Sequence, residues 1–270
     1  MASVASADIR LAIRELGLAG QAVCAHSSLG SFGHIEGGAD AFVEAFLLER
    51  CTLLVPSFTW SFCVAPPEGM RPLRNAFDYE RGFTSPVRAG TYTPDSDEID
   101  SDMGAIPEAV VRRPDRIRGA HPLCSFTAVG PEALALIERQ SPHDVFAPLK
   151  ALADRDGLVL LAGVGLTTMT LLHLAETEAG RRPFRRWARL ESGEVIEAES
   201  GGCGAGFDAL EPVLVPIAHE RTVGGSRWRA FPAREALEIA ALRIAETPRI
   251  THCSNPDCLL CADAIAGGPI

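Results

Sequence analysis

His173 and Glu176 are the two residues whose types and spacing most directly suggest chemistry. On a helix, residues three apart are neighbours on one face, so a carboxylate there can fix the tautomer of an imidazole and stabilise the imidazolium. These are the properties of a general base that removes a proton from an attacking amine, and Thr170 can add a hydroxyl to the same face. A satisfied core histidine or a surface pair on the helix would give the same pattern. A metal site is a weaker interpretation, because no second pair of ligands accompanies these residues.

Two stretches of small residues are suited to a phosphate-containing ligand. Residues 26–33 (HSSLGSFG) follow a predicted strand and precede a predicted helix, where N–H groups and serine hydroxyls can cradle phosphate oxygens. They match neither a P-loop nor a Gly-x-Gly-x-x-Gly fingerprint. In residues 103–108 (MGAIPE) an acidic loop turns into a helix, with Pro107 in its first turn. A plain strand-to-helix turn and ordinary helix capping explain the two stretches equally well.

Three cysteines near the end of the sequence, Cys253, Cys258 and Cys261, have the spacing Cys-x4-Cys-x2-Cys. Thiolates at such spacing can share one tetrahedral zinc ion, so the sequence predicts a candidate structural zinc site. The fourth ligand would be Cys203, His219 or none. The alternative is a reduced, cysteine-rich tail that is held against the body of the protein.

The elements that position these residues alternate between helix and strand patterns. Continuous apolar runs, typical of strands buried on both faces, predict strands at residues 22–26, 51–56, 125–129 and 158–164. A weaker strand pattern lies at residues 187–196. Helices are predicted at residues 7–16, 39–49, 105–113, 131–139, 148–155, 165–178 and 233–245, and another begins near Asp208. We therefore expect one α/β domain over residues 1–250, with a mixed central sheet, helices on both faces and long inserted loops, followed by a cysteine-rich tail at 251–270.

Residues 63–102 interrupt this alternation. The segment has no regular hydrophobic period, and its prolines are Pro66, Pro67, Pro72, Pro86 and Pro94. Loops of this length inside a compact domain tend to be functional. The segment ends in the acidic run at residues 95–102 (DSDEIDSD), which is typical of a solvated loop and would also suit a lid that faces the substrate.

The composition excludes several classes of protein. The net charge of −10 argues against nucleic-acid binding and is compatible with a cationic substrate. The sequence has no basic, apolar leader and no apolar run of about 18 residues, which predicts a cytoplasmic protein without a membrane partner. Nothing in it determines an oligomeric state. The cysteines that lie singly in apolar stretches are interpreted as buried free thiols: Cys24, Cys51, Cys63, Cys124 and Cys203.

Seven motifs, in this order, resemble those of the aminoglycoside 3-N-acetyltransferase family, the antibiotic N-acetyltransferases. They are HSSLGSFG (26–33), TLLVPSFTW (52–60), MGAIPEAVVRRP (103–114), HPLCSFTAVG (121–130), LLAGVG (160–165), TLLHLAE (170–176) and GFDALEPVL (206–214). The resemblance extends over residues 6–245. It implies an α/β fold distinct from the GNAT fold, with acetyl-coenzyme A as donor and a primary amine as acceptor.

The resemblance also implies roles for individual residues. His173 would be the general base of a direct acetyl transfer, with Glu176 and Thr170 beside it, and Asp208 and Thr59 would bind the acceptor. Residues implied to bind the cofactor are Ser27, Ser28, Leu29, Gly30, Ser31, Phe32, Gly33, Met103, Gly104, Ala105 and Ile106. His121 and Ser125 lie in a family motif without an assigned role. The acceptor is expected to be an aminoglycoside or related amino sugar. The alternatives are a small biosynthetic amine, a protein that binds coenzyme A or an amine without turnover, and a metal-dependent hydrolase.

Overall fold

The computed structural model of the chain describes residues 3–77, 79 and 90–270. Its α-helices are α1 (Ser6–Glu15), α2 (Gly38–Leu48), α3 (Ala105–Val111), α4 (Ala133–Ile137), α5 (Ala147–Asp154), α6 (Leu171–Glu178), α7 (Glu211–Leu214), α8 (Ala233–Glu246) and α9 (Leu259–Ile265). Its strands are β1 (Ala22–Ser27), β2 (Thr52–Pro56), β3 (Cys63–Val64), β4 (Ile117–Arg118), β5 (Phe126–Val129), β6 (Leu158–Ala162), β7 (Phe184–Arg189), β8 (Val195–Ser200), β9 (His219–Val223) and β10 (Ser226–Pro232). No helix within these residues is both long enough and apolar enough to cross a membrane.

A mixed, seven-stranded sheet forms the centre of the molecule, with the strand order β4-β5-β2-β1-β6-β10-β9. Strand β1 pairs in parallel with β2 on one side and with β6 on the other. The other neighbouring strands are antiparallel. The predicted α/β fold with a mixed central sheet is confirmed.

The apolar strands are continuous because both faces of the sheet are covered. Successive side chains of a strand point to opposite faces, so Cys24 and Leu161 enter one hydrophobic core while Val23 and Leu160 enter the other. Helices α1, α2 and α3 pack against the second of these cores, and α4, α5, α6 and α8 against the first. The prediction of helices on both faces is therefore confirmed.

Several elements differ from the prediction. The strand expected at residues 187–196 is a hairpin of β7 and β8, which joins β3 in a separate three-stranded sheet. Strands β9 and β10 and helix α9 were not predicted. Four of the five residues of β9 are exposed, so this edge strand shows no apolar run in the sequence. The helix expected at residues 165–178 begins as a 3-10 turn at Leu166–Thr168 and becomes α-helical only at α6.

The long irregular segment is tied to the sheet by its acidic end. The guanidinium of Arg118 on β4 donates hydrogen bonds to the carbonyls of Ser96 and Glu98. The carboxylate of Asp100 accepts the backbone N–H of Trp60 at 3.0 Å. The acidic run is thus anchored to the rest of the chain at several points. Pro86 lies outside the described residues.

Candidate active site

His173 and Glu176 form a hydrogen-bonded pair on helix α6. The imidazole Nδ1 and the carboxylate Oε2 are 2.8 Å apart, and the imidazole side chain is 15% exposed. The ring stands between Phe146, with ring centroids 6.4 Å apart, and Phe207, which meets it edge-on at 4.8 Å. Within the described residues no hydrogen bond engages Nε2, so this nitrogen is free to accept a proton.

The backbone at Gly201 closes one side of the imidazole. A Cβ atom added there would lie 2.9 Å from Cδ2 and 3.3 Å from Nε2 of His173. Only glycine allows so close an approach without displacing the ring. Because aromatic rings pack on the imidazole elsewhere, the position of the ring is fixed by its surroundings.

The other oxygen of the Glu176 carboxylate is also occupied. Arg181 donates a hydrogen bond to Oε1, and the hydroxyl of Thr251 donates to the same oxygen at 3.3 Å. Arg181 also donates to the hydroxyl of Thr251 at 2.8 Å and to the carbonyl of Pro248. All three side chains are buried. The guanidinium therefore compensates the charge of the carboxylate and fixes the direction in which it meets His173.

A cleft with a volume of about 600 Å³ opens at the carboxyl ends of the parallel strands β1, β2 and β6. Ligands of open α/β sheets bind at this edge, where the connections of adjacent strands leave on opposite faces. The chain leaves β1 toward α2 on one face and β6 toward α6 on the other. The lining residues are Ala25, His26, Ser27, Ser28, Leu29, Gly30, Pro56, Phe58, Asp102, Met103, Gly104, Ala105, Pro107, Val164, Thr168 and Thr170. Thr170 lines the cleft three residues before His173, whereas His173 and Glu176 themselves line a separate, small pocket together with Phe146 and Gly201.

The loop after β1 supplies polar groups to this cleft. The hydroxyl of Ser27 is buried and has no hydrogen-bond partner among the described residues. The N–H of Ser28 donates to the carbonyl of Ala162 at 3.0 Å, which pins the loop beside β6. Unpartnered buried hydroxyls are uncommon in proteins, and one on a cleft wall is suited to a ligand oxygen or N–H.

The sequence of this chain is similar to those of known proteins over most of its length. The sequence model of the aminoglycoside 3-N-acetyltransferases matches residues 24–244. This chain belongs to that family. It is 37% identical over 191 residues to aminoglycoside N(3)-acetyltransferase IX of Micromonospora chalcea, a match that covers 67% of this chain and 65% of that enzyme. It is 30% identical over 255 residues to aminoglycoside N(3)-acetyltransferase VII of Streptomyces paromomycinus, which covers 84% and 86% of the two chains.

The fold agrees with the family. The crystal structure of the aminoglycoside acetyltransferase AAC(3)-IVa without ligand superposes with a TM-score of 0.77 at 25% identity, over 98% of each chain. The predicted membership in this family of N-acetyltransferases, and the predicted fold, are confirmed.

The two family segments implied to bind the cofactor meet in the cleft. Residues Ser27–Gly30 and Met103–Ala105 line it, although they are far apart in the sequence. Four other residues of these segments do not line it. Ser31 donates to the hydroxyl of Ser226 at 2.8 Å, Phe32 and Ile106 are buried in the core, and Gly33 ends the turn with a φ of +86°.

The two residues implied to bind the acceptor are placed differently. Asp208 is exposed in the 3-10 turn that carries Phe207, and a Cβ atom at Gly165 would lie 3.4 Å from its carboxylate. It therefore stands near the start of the helix that bears His173. Thr59 is buried, and its hydroxyl hydrogen bonds to that of Ser61 at 2.8 Å. It does not line the cleft.

His121 and Ser125, which carried no assigned role, both lie in the interior. The Nδ1 of His121 accepts the backbone N–H groups of Leu123 and Cys124, and burial lowers the pKa of this histidine to about 4. The hydroxyl of Ser125 donates to the carbonyl of Ser57 at 2.9 Å and accepts from Arg118 at 3.0 Å. Both residues support local backbone structure.

Sequence reasoning assigned no individual role to several residues of the site, although His26 lies in the stretch 26–33 that it singled out. His26 lines the cleft, and burial lowers its pKa to about 4, so the imidazole is neutral at pH 7. Its position at the start of the small-residue loop was the available signal. Arg181 and Thr251 touch Glu176 from 5 and 75 residues away, and no local pattern marked them.

The interpretation of Cys203 as an isolated buried thiol was wrong. Cys203 is only half-buried, and its sulfur lies within 4.8 Å of those of Cys253, Cys258 and Cys261. The glycine-rich loop that carries it folds back onto the C-terminal segment, which sequence spacing does not show. His219, the other residue considered as a fourth ligand, is exposed on β9 and is not part of this cluster. The other four lone cysteines are buried, as predicted.

Proposed function

We propose that this chain transfers the acetyl group of acetyl-coenzyme A to a primary amine, with His173 as the general base. The observation that carries this proposal is the 2.8 Å hydrogen bond between Nδ1 of His173 and Glu176, on the helix whose N-cap residue, Thr170, lines the cleft built by both loops of the family. Membership in the aminoglycoside 3-N-acetyltransferase family supports the same reaction.

The dyad is arranged for proton transfer. The carboxylate accepts a hydrogen from Nδ1, which leaves Nε2 as the basic nitrogen. As the amine nitrogen bonds to the thioester carbon, its proton passes to Nε2, and Glu176 stabilises the imidazolium that forms. The carbon–sulfur bond then breaks, and the imidazolium returns the proton to the departing thiolate of coenzyme A. The products are an acetamide and free coenzyme A, and no cysteine nucleophile takes part.

The cleft suits the donor in size and in chemistry. Its volume of about 600 Å³ lies within the range of ordinary ligand pockets. The unpartnered hydroxyl of Ser27 offers a hydrogen bond that nothing described in the chain satisfies. The described lining contains no lysine or arginine, so contacts to the donor would come from hydroxyls and backbone N–H groups. AAC-IIIb, which shares this fold at 19% identity and a TM-score of 0.74, has been solved as a binary complex with CoASH.

We propose a cationic amino sugar of the aminoglycoside type as the acceptor. Asp208 stands exposed near the start of the catalytic helix, Asp102 lines the cleft, and the chain carries a net charge of −10. A negative field of this kind concentrates cationic amines near the surface. The relatives from Micromonospora chalcea and Streptomyces paromomycinus are both named as aminoglycoside N(3)-acetyltransferases.

A single assay tests the reaction: acetyl-coenzyme A is incubated with a panel of aminoglycosides and small biosynthetic amines, and released thiol is followed. Thiol release that depends on an aminoglycoside is the expected result. Thiol release with small amines alone would show that the acceptor is a small amine and not an aminoglycoside. Binding of acetyl-coenzyme A without thiol release in the presence of any amine would refute the proposal that the chain is an enzyme.

Replacing His173 tests the base. We expect His173→Ala to lower kcat by about 10²-fold or more, the range of general-base catalysis, with little change in affinity for acetyl-coenzyme A. The matched control is His143→Ala, because His143 is exposed and lies outside the site. Unaltered turnover in His173→Ala would remove this residue from the mechanism.

A further inference from the structure

A cluster of four cysteines lies apart from the acyl-transfer cleft. Cys203 comes from the loop between β8 and α7, Cys253 from the stretch after α8, and Cys258 and Cys261 from the start of α9. Their four sulfur atoms lie within 4.8 Å of one another. The four residues come from segments about 50 residues apart in sequence.

From this convergence we propose that Cys203, Cys253, Cys258 and Cys261 bind one structural zinc ion. The inference goes beyond the proposed acetyl transfer and does not depend on it.

The spacing of the sulfurs fits a tetrahedral ion. With zinc–sulfur bonds of about 2.3 Å, the sulfurs of a tetrahedral site lie about 3.8 Å apart. Sulfurs that already lie within 4.8 Å would reach this geometry by small rotations of their side chains. Disulfides would join the sulfurs in separate pairs at about 2.05 Å, which gives no reason for all four to converge.

The chemistry of the cluster also favours a cation. Thiols are weak hydrogen-bonding groups, so four neutral thiols would stabilise one another little. Four thiolates so close together would repel unless a cation lay between them. A site made only of cysteine sulfur selects zinc or iron among the common metals, and four protein ligands leave no position for water. Such a closed site is structural.

The backbone around the cluster is built to hold the two segments together. Cys258 is the N-cap of α9 and Cys261 lies in its first turn, so the helix start fixes their relative positions. The N–H of Cys253 donates to the sulfur of Cys261 at 3.4 Å, as the outer contacts of metal sites commonly do. A Cβ atom at position 206 would lie 2.2 Å from the carbonyl of Thr251, so Gly206 lets the loop press against the tail.

The two joined segments are those that flank the dyad. Residue 201, two before Cys203, covers the ring of His173, and Thr251, two before Cys253, bonds to the Glu176 carboxylate. A metal ion at the cluster would therefore hold both sides of the dyad in place. We expect metal loss to lower the melting temperature and to lower kcat more than it changes KM for acetyl-coenzyme A.

Metal content of the full chain, purified without chelator, tests the site directly. We expect about one zinc per chain by inductively coupled plasma mass spectrometry, and a loss of most of it in Cys203→Ala and in Cys253→Ala. The control is Cys51→Ala, since Cys51 is buried far from the cluster beside Leu18, and this variant should keep its zinc. Exchange with cobalt should give the absorption of a tetrahedral site with sulfur ligands.

Several results would overturn the proposal, and none of them requires activity. One is wild-type protein that contains no metal and whose cysteines all titrate as free thiols after denaturation. Another is metal-free protein with disulfides among these four cysteines, which would make the cluster a redox pair. Iron in place of zinc would refute the identity of the ion. Full zinc content and an unchanged cobalt spectrum in Cys203→Ala would show that Cys203 is not a ligand. If a variant fails to fold, the cobalt spectrum of the native protein still shows whether the ion is bound by sulfur ligands.

Discussion

Glu176→Gln tests most sharply whether the buried carboxylate acts through His173. The substitution keeps the size of the side chain and removes the charge that would stabilise the imidazolium. Between unit charges about 4 Å apart, the attraction is about 4 kcal/mol at an effective dielectric constant of about 20. Arg181, which donates to the other carboxylate oxygen, offsets part of this attraction. With a net of about 3 kcal/mol, we expect kcat to fall by about 10²-fold.

The decisive form of this experiment is a double-mutant cycle with amine-dependent thiol release as the assay. If Glu176 acts by stabilising the imidazolium, Glu176→Gln should have little further effect in a His173→Ala background. Glu178→Gln, on the exposed side of the same helix, is the control and should leave kcat unchanged. Melting temperatures must accompany the rates, because the substitution leaves the buried Arg181 without its charged partner.

Two results would refute the reasoning. Wild-type kcat in Glu176→Gln would show that the charge of the carboxylate is not used. A loss of equal size in the wild-type and His173→Ala backgrounds would show that Glu176 acts independently of the imidazole, for instance by holding Thr251 and the C-terminal segment.

Three further predictions follow from the same contacts. Gly201→Ala should lower kcat about 10-fold or more at nearly constant KM for acetyl-coenzyme A, because the added Cβ would displace the His173 ring. An unchanged kcat would show that the position of the ring does not limit the rate. Ser27→Ala should raise that KM about fivefold without lowering the melting temperature, since the hydroxyl has no described partner to lose, and an unaltered KM would exclude the contact. His121 has a pKa of about 4 in the fold against about 6.5 unfolded, so the unfolded chain binds more protons between these values and stability falls as pH falls through them. The free energy of unfolding can be measured by urea titration at pH 7 and at pH 5. The loss of stability between these pH values should be about 2 kcal/mol smaller in His121→Asn than in wild type. The control His34→Asn, at an exposed histidine, should lose as much stability as wild type.

The sequence predicted much of the sheet and the dyad because both depend on local pattern. Continuous apolar runs gave β1, β2, β5 and β6 within about two residues, since strands covered on both faces need apolar side chains at every position. The spacing of His173 and Glu176 was enough to place them on one helix face, because helix geometry is the same in every context. Strand β9 was missed, since exposed edge strands carry polar residues and show no such run.

Contacts between distant segments could not be read from the sequence. Thr251, which helps to hold the carboxylate, and Gly201, which covers the imidazole, have no spacing that relates them to the dyad. Arg181 is only five residues from Glu176 but lies beyond the end of helix α6, where helix spacing no longer predicts a contact. Cys203 was interpreted on local grounds as a buried thiol and was also one of the options for a fourth zinc ligand, and only chain folding brings it to the terminal cysteines.

The sequence by itself determined the family, the apolar strands, the pairing of His173 with Glu176 and the two small-residue loops, because each is a property of neighbouring residues. Only the tertiary structure decided that the loops share one cleft, that both oxygens of the carboxylate are occupied, and that four sulfurs converge. These facts depend on which strands pair and in which order. The sheet order β2-β1-β6 joins segments more than 100 residues apart, and no local pattern encodes that pairing.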